Sequence, residues 1–409
     1  MRGPVLRRPP LPSLTSLRFF AALGIVLHHG VDYGLVPAAW VRPVNPAQGV
    51  SFFFVLSGFI LGYVYLGREC SPRAFYAARL ARIWPATMGS LVLVVLLLPR
   101  QLLLPTAGSP WLELGSLGAS VLLLQSLVPI PAIYFGFNAV AWSVSTEACF
   151  YAMFPWLLRL LRRSWLLVLL LSSGLGLALV AVAQWWQLPG FGSSVLERVG
   201  WHGLIYIHPA ARFQEFLLGL LAAMLFLSPG IRRKARRWLR GGREPLVALV
   251  LVLAAWSYQA TALAGLWPLS APLALLLAQW GQGLLFALLI AVLACEAGWL
   301  TPLLRWRPLV LLGEISFALY LLHQGLMILL VQVHPQLLGV LAGPWRFPAV
   351  LLAALGLAYA QWRWLECPAR HLLRNRLGQG TGPRRLVLRS LRPETLPDTP
   401  VADDGVCKR

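Results

Sequence analysis

Charged side chains are scarce in this 409-residue sequence, where Asp, Glu, Lys and Arg together make up only 12% of the residues. A soluble domain of this size needs a polar surface around its core, so the composition excludes an ordinary soluble globular protein. Hydrophobic residues make up 58% of the chain, and the mean hydropathy is +0.70. Apolar runs of membrane-spanning length recur along the sequence, which predicts a polytopic helical membrane protein with one membrane domain.

Cysteine is also sparse, and its five positions are scattered along the chain. They form no CxxC pair and no metal-ligand spacing, so we expect no metal site. Cys149 and Cys295 lie inside apolar runs, and we interpret them as small core residues. We expect no cleavable signal peptide, because the first apolar run contains Arg18 and His29.

Lysine is nearly absent, since it occurs only at Lys234 and Lys408, and arginine supplies almost all of the net charge of +21. The basic residues lie mostly at the ends of apolar segments, where they orient helices and meet anionic lipid. We therefore expect the lipid bilayer as a partner, and no nucleic acid, because no soluble basic domain is present. Arginine in place of lysine hints at a GC-rich bacterial genome.

Eleven apolar segments are candidate membrane spans. They cover residues 14–36, 50–66, 80–99, 114–131, 141–161, 165–186, 212–228, 245–265, 272–295, 311–333 and 347–368. If segment 114–131, which is interrupted by polar residues and prolines, does not cross, the main arginine clusters fall on the cytoplasmic side. We therefore predict an all-α transmembrane helical bundle of about ten spans with both termini cytoplasmic, and an outer-face or re-entrant segment at 114–131.

The predicted organisation has three parts. Residues 1–13 form a cytoplasmic N-terminal segment, residues 14–371 form the transmembrane domain, and residues 372–409 form a cytoplasmic, mostly disordered tail without a long apolar run. The sequence shows no internal repeat and no inverted pair of broken helices, which disfavours a secondary transporter.

Ionisable side chains inside membrane spans are costly, so each is a candidate functional residue. Arg18 and His29 are eleven residues apart, which puts them on one helix face, roughly 16 Å apart along the axis. Asp32 lies nearly on that face and would orient His29 as a general base. The alternative for His29 is contact with lipid headgroups, and this is the interpretation we favour for His28, which points away.

Polar residues also recur in the next two apolar segments. Ser57 either lines a substrate site or, with Gly58, marks a spot of close helix packing. Arg79 and Arg82 share a helix face. They either anchor the helix to lipid phosphate or hold a phosphorylated ligand through paired hydrogen bonds.

Three later segments carry further polar groups at helical spacing. Ser143 and Glu147 share a face. A carboxylate inside a membrane helix is either paired or functional, and Arg18 or His29 are the natural partners for Glu147. Arg212 and Glu215 are at positions i and i+3 of a predicted helix, where they either face the interior or form a salt bridge within one helix. A third set of polar groups, at i, i+4 and i+7, consists of Ser316, Tyr320 and His323. Inward polar stripes on at least five helices favour a catalytic or transport cavity over a purely structural subunit.

Taken in order, these stretches resemble the acyltransferase-3 family of integral membrane O-acyltransferases. The motifs are Arg18-x10-His29, Phe54-Val-Leu-Ser57-Gly58-Phe59, Arg79-x-x-Arg82-x-x-Pro85, Trp142-Ser143-x-x-x-Glu147-x-x-Phe150-Tyr151, Arg212-x-x-Glu215-Phe-x-x-Gly219, Ser316-x-x-x-Tyr320-Leu-x-His323 and Trp364-Leu-Glu366-Cys367-Pro368-Ala-Arg370. They cover about residues 14–370. The family's usual Leu-Asp-Gly before the signature arginine is here Thr15-Ser16-Leu17, which is a departure from the pattern.

The resemblance implies ten spans and transfer of an acyl group, most often acetyl from acetyl-CoA, to a hydroxyl of a carbohydrate or another envelope or secreted molecule. It puts His29 at the catalytic centre with Arg18 and Glu147 as essential partners, and it assigns Arg79 and Arg82 to the donor's phosphates. The remaining motif residues are expected to bind substrate or donor, namely Ser57, Trp142, Ser143, Arg212, Glu215, Ser316, Tyr320, His323 and Glu366. Acyl-CoA is expected as donor substrate, with no tightly bound cofactor, and the bacterial inner (plasma) membrane as the location.

Two alternatives stay open at this point. One is O-acylation of a small secreted metabolite, such as a macrolide, and the other is a transporter or flippase for a polar envelope precursor. Within the enzyme hypothesis, His29 is either a general base or the carrier of the acyl group. His29 lies toward the outer face and the pair Arg79 and Arg82 toward the inner face, so we expect a tunnel through which the acyl end of CoA reaches His29.

Overall fold

The computed structural model of the chain describes residues 8–41, 46–68, 71–104, 109–192, 195–240, 242–266 and 270–378. These residues form helices, turns and loops and no β-strand, which confirms the all-α prediction. Ten helices of 17 residues or more are labelled in chain order: α1 Pro12–Asp32, α2 Gly49–Tyr65, α3 Pro72–Leu97, α4 Trp142–Arg163, α5 Trp165–Trp185, α6 Pro209–Leu227, α7 Arg243–Leu266, α8 Ala271–Ala294, α9 Arg307–Ile328 and α10 Gly343–Gln361.

Shorter helical pieces connect these helices. The α-helical pieces are Ala38–Val41, Arg100–Leu103, Pro110–Leu122, Pro131–Tyr134, Pro229–Leu239, Leu300–Leu304, Pro335–Gly339 and Cys367–Gly378. Single 3₁₀ turns lie at Pro46–Gln48, Gln125–Leu127 and Ala139–Ala141, and π-helical turns lie at Gly203–Ile207, Leu329–Val333 and Trp362–Glu366.

Local sequence explains where several of the long helices begin. Proline occupies the first turn of α1, α3, α6 and α8, where its missing N–H costs no hydrogen bond and its fixed φ suits a helix. Ser164 precedes α5, and its side chain accepts a hydrogen bond of 3.1 Å from the backbone N–H of Leu167. Such a cap satisfies one of the donors left free at a helix start.

Within the part of the chain that the structure describes, six helical stretches are long and apolar enough to cross a membrane: Pro12–Asp32, Pro72–Leu97, Trp165–Trp185, Gly203–Leu227, Ala271–Ala294 and Arg307–Val333. Segment 114–131 is predicted not to cross the membrane. The helix in this region, Pro110–Leu122, has only 13 residues and is followed by the turn Gln125–Leu127. Thirteen residues rise about 20 Å, which is less than the hydrocarbon core of a bilayer.

Large apolar side chains cover the outside of the bundle. Helix α5 exposes Leu166, Leu170 and Leu177, and α7 exposes Leu246 and Leu253. An apolar exterior of this extent matches contact with lipid rather than with water. Together with the six apolar stretches, it identifies an integral membrane protein.

Helices α1 and α9 run side by side in parallel. A Cβ atom on Gly313, early in α9, would overlap the carbonyl oxygen of Thr15, early in α1, so the two backbones touch there. Further along, Phe19 and Val26 of α1 pack in one apolar cluster with Leu319 of α9. This packing brings the C-terminal halves of both helices to the same level.

Helices α2 and α6 approach each other as closely. A Cβ atom on Gly58 would overlap the carbonyl oxygen of Phe216, and one on Gly219 would overlap the carbonyl oxygen of Val55. Glycines let backbones meet in membrane bundles, so the packing alternative for Gly58 is confirmed.

Both predicted terminal segments lie partly outside the described residues. Residues 1–7 of the N-terminal segment and residues 379–409 of the tail are not described. The helix Cys367–Gly378 runs across the predicted boundary at residue 371.

Candidate active site

Two histidines from distant parts of the sequence form the centre of the site. The Nδ1 atom of His29, near the end of α1, lies 2.8 Å from the Nε2 atom of His323 on α9. The two rings are stacked, with centroids 5.0 Å apart. His323 is fully buried, whereas His29 is only half-buried. His29 is therefore the member of the pair that a substrate can reach.

Backbone carbonyls determine the tautomer of His323. Its Nδ1 atom lies 2.7 Å from the carbonyl oxygen of Tyr320 and 3.2 Å from that of Leu319. A carbonyl oxygen only accepts, so Nδ1 carries the hydrogen and Nε2 of the neutral ring accepts. His29 must then donate its Nδ1–H to His323. The unprotonated nitrogen of His29 is Nε2, which is the atom able to take a proton from a substrate.

Tyr320 and Ser143 join α9 to the start of α4. The hydroxyl of Tyr320 donates to the carbonyl oxygen of Val140 over 2.8 Å, and the hydroxyl of Ser143 lies 2.7 Å from that of Tyr320. Both side chains are buried. They hold in place the turn of α9 whose carbonyl groups orient His323.

A second polar group lies further along α4. Glu147, one turn beyond Ser143, accepts a hydrogen bond from the hydroxyl of Tyr151. That hydroxyl lies 3.4 Å from Oγ of Ser57 on α2, and the guanidinium of Arg79 on α3 lies 5.8 Å from the centre of the Tyr151 ring. The structure therefore brings together three of the predicted site residues around Tyr151.

Arg18 and Arg82 extend this second group. Electrostatic attraction links Arg18 to Glu147, and the positive charge of Arg82 acts on both Arg18 and Tyr151. Arg18 also interacts electrostatically with Glu314 and Arg370, and Arg370 pairs with Glu366. Four arginines, Arg18, Arg79, Arg82 and Arg370, thus lie near three carboxylates, Glu147, Glu314 and Glu366, which leaves one positive charge in excess for an anionic ligand. Arg18, Arg79 and Arg82 are called the arginine group below. Their side chains are half-buried rather than buried, and so are those of Ser57 and Glu147.

Arg212 and Glu215 form a separate, fully buried pair. The Nε atom of Arg212 lies 3.0 Å from Oε2 of Glu215, one turn away on α6. An Nη2 hydrogen of Arg212 is donated to Ser51 Oγ over 3.1 Å, and the guanidinium lies over the rings of Phe54 and Tyr206. The salt bridge within one helix is therefore present, and the hydrogen bond to Ser51 ties α6 to α2.

Three other predicted residues make structural contacts. Trp142 is buried against Phe54 and Tyr206, with ring centroids 6.3 Å and 5.3 Å away. Ser316 donates to the carbonyl oxygen of Gly313 in its own helix over 2.7 Å.

The third, Glu366, is buried beyond the C-terminal end of α10. It accepts a hydrogen bond of 2.9 Å from Arg370 and interacts electrostatically with Arg18 and Arg82. Glu366 therefore borders the arginine group.

The predicted role of Asp32 is wrong. Asp32 is exposed, and its Oδ2 atom lies 3.9 Å from Nε2 of His28, one turn back on the same helix. The residue that orients His29 is instead His323. The inward stripe Ser316–Tyr320–His323 was a signal that His323 faces the interior, but no pattern in one sequence pairs side chains on two helices 294 residues apart.

Comparisons with known proteins find a family model and several relatives. The Acyl_transf_3 family model, an acyltransferase domain, matches residues 11–363. The chain is 32% identical over 335 residues to acyltransferase MdmB of Streptomyces mycarofaciens, covering 76% of this chain and 78% of the relative. It is 30% identical over 334 residues to the exopolysaccharide production protein ExoZ of Rhizobium meliloti, covering 79% and 89%.

A more distant relative is longer than this chain. The peptidoglycan O-acetyltransferase OatA of Listeria monocytogenes is 23% identical over 400 residues, which cover 89% of this chain and 56% of the relative. The chain therefore spans little more than half the length of that protein. No solved structure gives a significant match.

Proposed function

This chain belongs to the Acyl_transf_3 family of acyltransferases, and we propose that it transfers an acyl group, acetyl from acetyl-CoA, to a hydroxyl of a carbohydrate such as a cell-envelope or exported polysaccharide. The names of two relatives support this class of acceptor, since one is a peptidoglycan O-acetyltransferase and another an exopolysaccharide production protein. Membership of an enzyme family favours catalysis over the transporter alternative.

The observation that carries the mechanism is the hydrogen bond between His29 and His323. It leaves the Nε2 lone pair of His29 free to remove the proton from the acceptor hydroxyl as its oxygen attacks the thioester carbonyl carbon. The new C–O bond forms, the C–S bond breaks, and the departing sulfur takes the proton from the imidazolium. His323 stabilises that imidazolium, because a hydrogen bond from a charged donor is stronger than one from a neutral donor.

The arginine group supplies the donor site in this proposal. Arg79 and Arg82 lie in the first half of α3, and Arg18 lies in the first half of α1. Their surplus positive charge suits the phosphates of CoA. Arg18 and His29 are separated by roughly 16 Å along α1. The pantetheine arm would span that distance inside the bundle and present the acyl group to His29. The half-buried state of the arginine group supports a cavity there.

The topology proposal follows from the ten long helices. If each crosses once, an even number puts both termini on one side of the membrane. The helix Pro229–Leu239 and the chain after α10 are rich in arginine, so that side is the cytoplasm. We place the protein in the bacterial inner membrane, with segments 1–13 and 372–409 flanking an acyltransferase domain over 14–371.

An assay with radiolabelled acetyl-CoA tests the proposed function. The purified full-length protein in lipid nanodiscs is given cell-envelope glycan fragments or, separately, a hydroxylated macrolide. Thioester loss that depends on the glycan, with label recovered as an O-ester, is the expected result. Label in the macrolide alone would support the small secreted metabolite as acceptor. Absence of thioester loss with every acceptor would contradict the enzyme proposal.

A further inference from the structure

A cleft of about 290 Å³ is lined by residues that closely follow His29 and His323 in the sequence, although neither histidine is itself part of the lining. Its wall includes Tyr33, which stands one helical turn beyond His29, and Gln324, which directly follows His323. The side chain of Tyr33 is hydrogen-bonded to Gln324. Sequence neighbours of His29 and His323 therefore contribute to the lining of the cleft.

A further part of the lining comes from the connections that follow α3 and precede α4. Asn138 is buried and donates its Nδ2 hydrogens to Ser90 Oγ and to the carbonyl oxygen of Leu321, two residues before His323. Phe137 has a left-handed backbone with φ of 60°, which is a strained conformation for an aromatic residue. Its N–H donates to the carbonyl oxygen of Leu103, so the strain is held by a specific contact.

The lining has a distinct chemistry. Among the described residues that form the cleft there is no Asp, Glu, Lys, Arg or His. Aromatic rings contribute Tyr33, Phe137 and the exposed Phe191, and amide side chains include Gln101 and Gln324. Aromatic faces carry partial negative charge that attracts the C–H face of a sugar ring, and amides both donate and accept hydrogen bonds to hydroxyls.

We propose that this cleft is the acceptor subsite and that it takes a single neutral sugar ring, presented so that one hydroxyl points at His29. The volume is at the lower end for small-molecule sites, so the rest of a larger acceptor would extend outside. An anionic ring is disfavoured, because its carboxylate would enter a partly desolvated cleft without a cationic partner. This inference rests on the proposed acyltransferase function.

The test uses two acceptor probes that differ in one carboxylate, p-nitrophenyl β-glucoside and p-nitrophenyl β-glucuronide. With the full chain in nanodiscs, we expect the KM for the glucoside to be lower by at least about tenfold. Phe191→Ala and Gln101→Ala should each raise the KM for the glucoside by roughly three- to tenfold, without a change in the KM for acetyl-CoA. The matched control is Trp345→Ala, an exposed aromatic residue outside the cleft, which should change neither KM.

A binding measurement separates the inference from the proposed function. Calorimetric titration of His29→Ala protein with both probes reports the cleft without turnover, and the glucoside should bind the more tightly of the two. Glucoside binding that Phe191→Ala weakens, when the wild-type protein acylates no acceptor, would support the cleft and overturn the acyltransferase proposal. Equal use of both probes, or an unchanged KM in Phe191→Ala and Gln101→Ala, would overturn the cleft assignment. Failure of the glucoside to bind would overturn it as well.

Discussion

His29 Nδ1 lies 2.8 Å from His323 Nε2, and His323 is itself held through Nδ1 by the carbonyl oxygen of Tyr320. This chain of hydrogen bonds determines which nitrogen of His29 is free. It also joins α1 to α9, so the orientation of the His29 ring depends on a helix far away in the sequence. In the proposed mechanism His323 acts through His29, which makes it a positioning residue.

Replacing His323 tests this positioning role. His323→Ala removes the acceptor for the Nδ1–H of His29, so kcat should fall by roughly 10- to 100-fold, as expected for the loss of a hydrogen bond to a charged group. The KM for acetyl-CoA should not change, because the arginine group is intact. His323→Gln, whose amide oxygen accepts a hydrogen bond, should recover part of the activity. Equal loss in both variants would contradict the positioning role.

Removing the hydroxyl of Tyr320 should lower stability. Tyr320→Phe removes the hydrogen bonds of this hydroxyl to Val140 and Ser143, while Ser143 still reaches the carbonyl oxygen of Val140 over 3.2 Å. The expected cost is about 0.5–1.5 kcal/mol in the free energy of unfolding. Thermal unfolding in nanodiscs would show this loss of stability as a lower Tm. Tyr359→Phe, at an exposed position on α10, is the matched control and should leave the Tm unchanged. Equal Tm values for the two variants would contradict the assignment of Tyr320.

The arginine pair on α3 should control donor binding. Arg79→Ala and Arg82→Ala should each raise the KM for acetyl-CoA by roughly 10- to 100-fold, since each removes one charge-assisted contact to phosphate. The KM for the acceptor should stay the same. Arg73→Ala, at an exposed position in the first turn of the same helix, serves as the control and should leave both constants near wild type. An increase in the KM for the acceptor alone would contradict the assignment of Arg79 and Arg82 to the donor site.

The close contact between α2 and α6 should not tolerate a methyl group. Gly219→Ala puts a Cβ into the carbonyl oxygen of Val55, and we expect a loss of about 1–3 kcal/mol in stability. Gly174→Ala on α5, where an added Cβ meets nothing within 4 Å, should be neutral or slightly stabilising. The yield of folded protein after detergent extraction compares the two. A normal yield for Gly219→Ala would show that the helices can move apart at little cost.

Helical periodicity in the sequence was enough to predict the class of fold and several of the inward faces. The shared face of Arg18 and His29 follows from eleven residues at 100° each, and the stripe ending at His323 follows in the same way. Neighbouring residues point about 100° apart, which is why Gly58 packs against α6 while Ser57 faces Tyr151. The sequence left both alternatives open at this position.

The contacts between helices were beyond the reach of a single sequence. Asp32 had a plausible spacing to orient His29, but α1 ends at that residue and its carboxylate lies exposed beside His28. The true partner, His323, is brought in by the packing of α1 against α9, which depends on Gly313 and on apolar side chains of both helices. Such tertiary pairing carries no local signal.

The central claim is that His29 is the general base, and the most direct test compares His29→Ala with its neighbour His28→Ala. Acetyl transfer from acetyl-CoA is measured with equal amounts of folded protein in nanodiscs. We predict that His29→Ala loses at least about 100-fold in kcat, the usual contribution of a general base, while His28→Ala keeps a near-wild-type rate. Wild-type activity in His29→Ala, or an equal loss in both variants, would contradict the account.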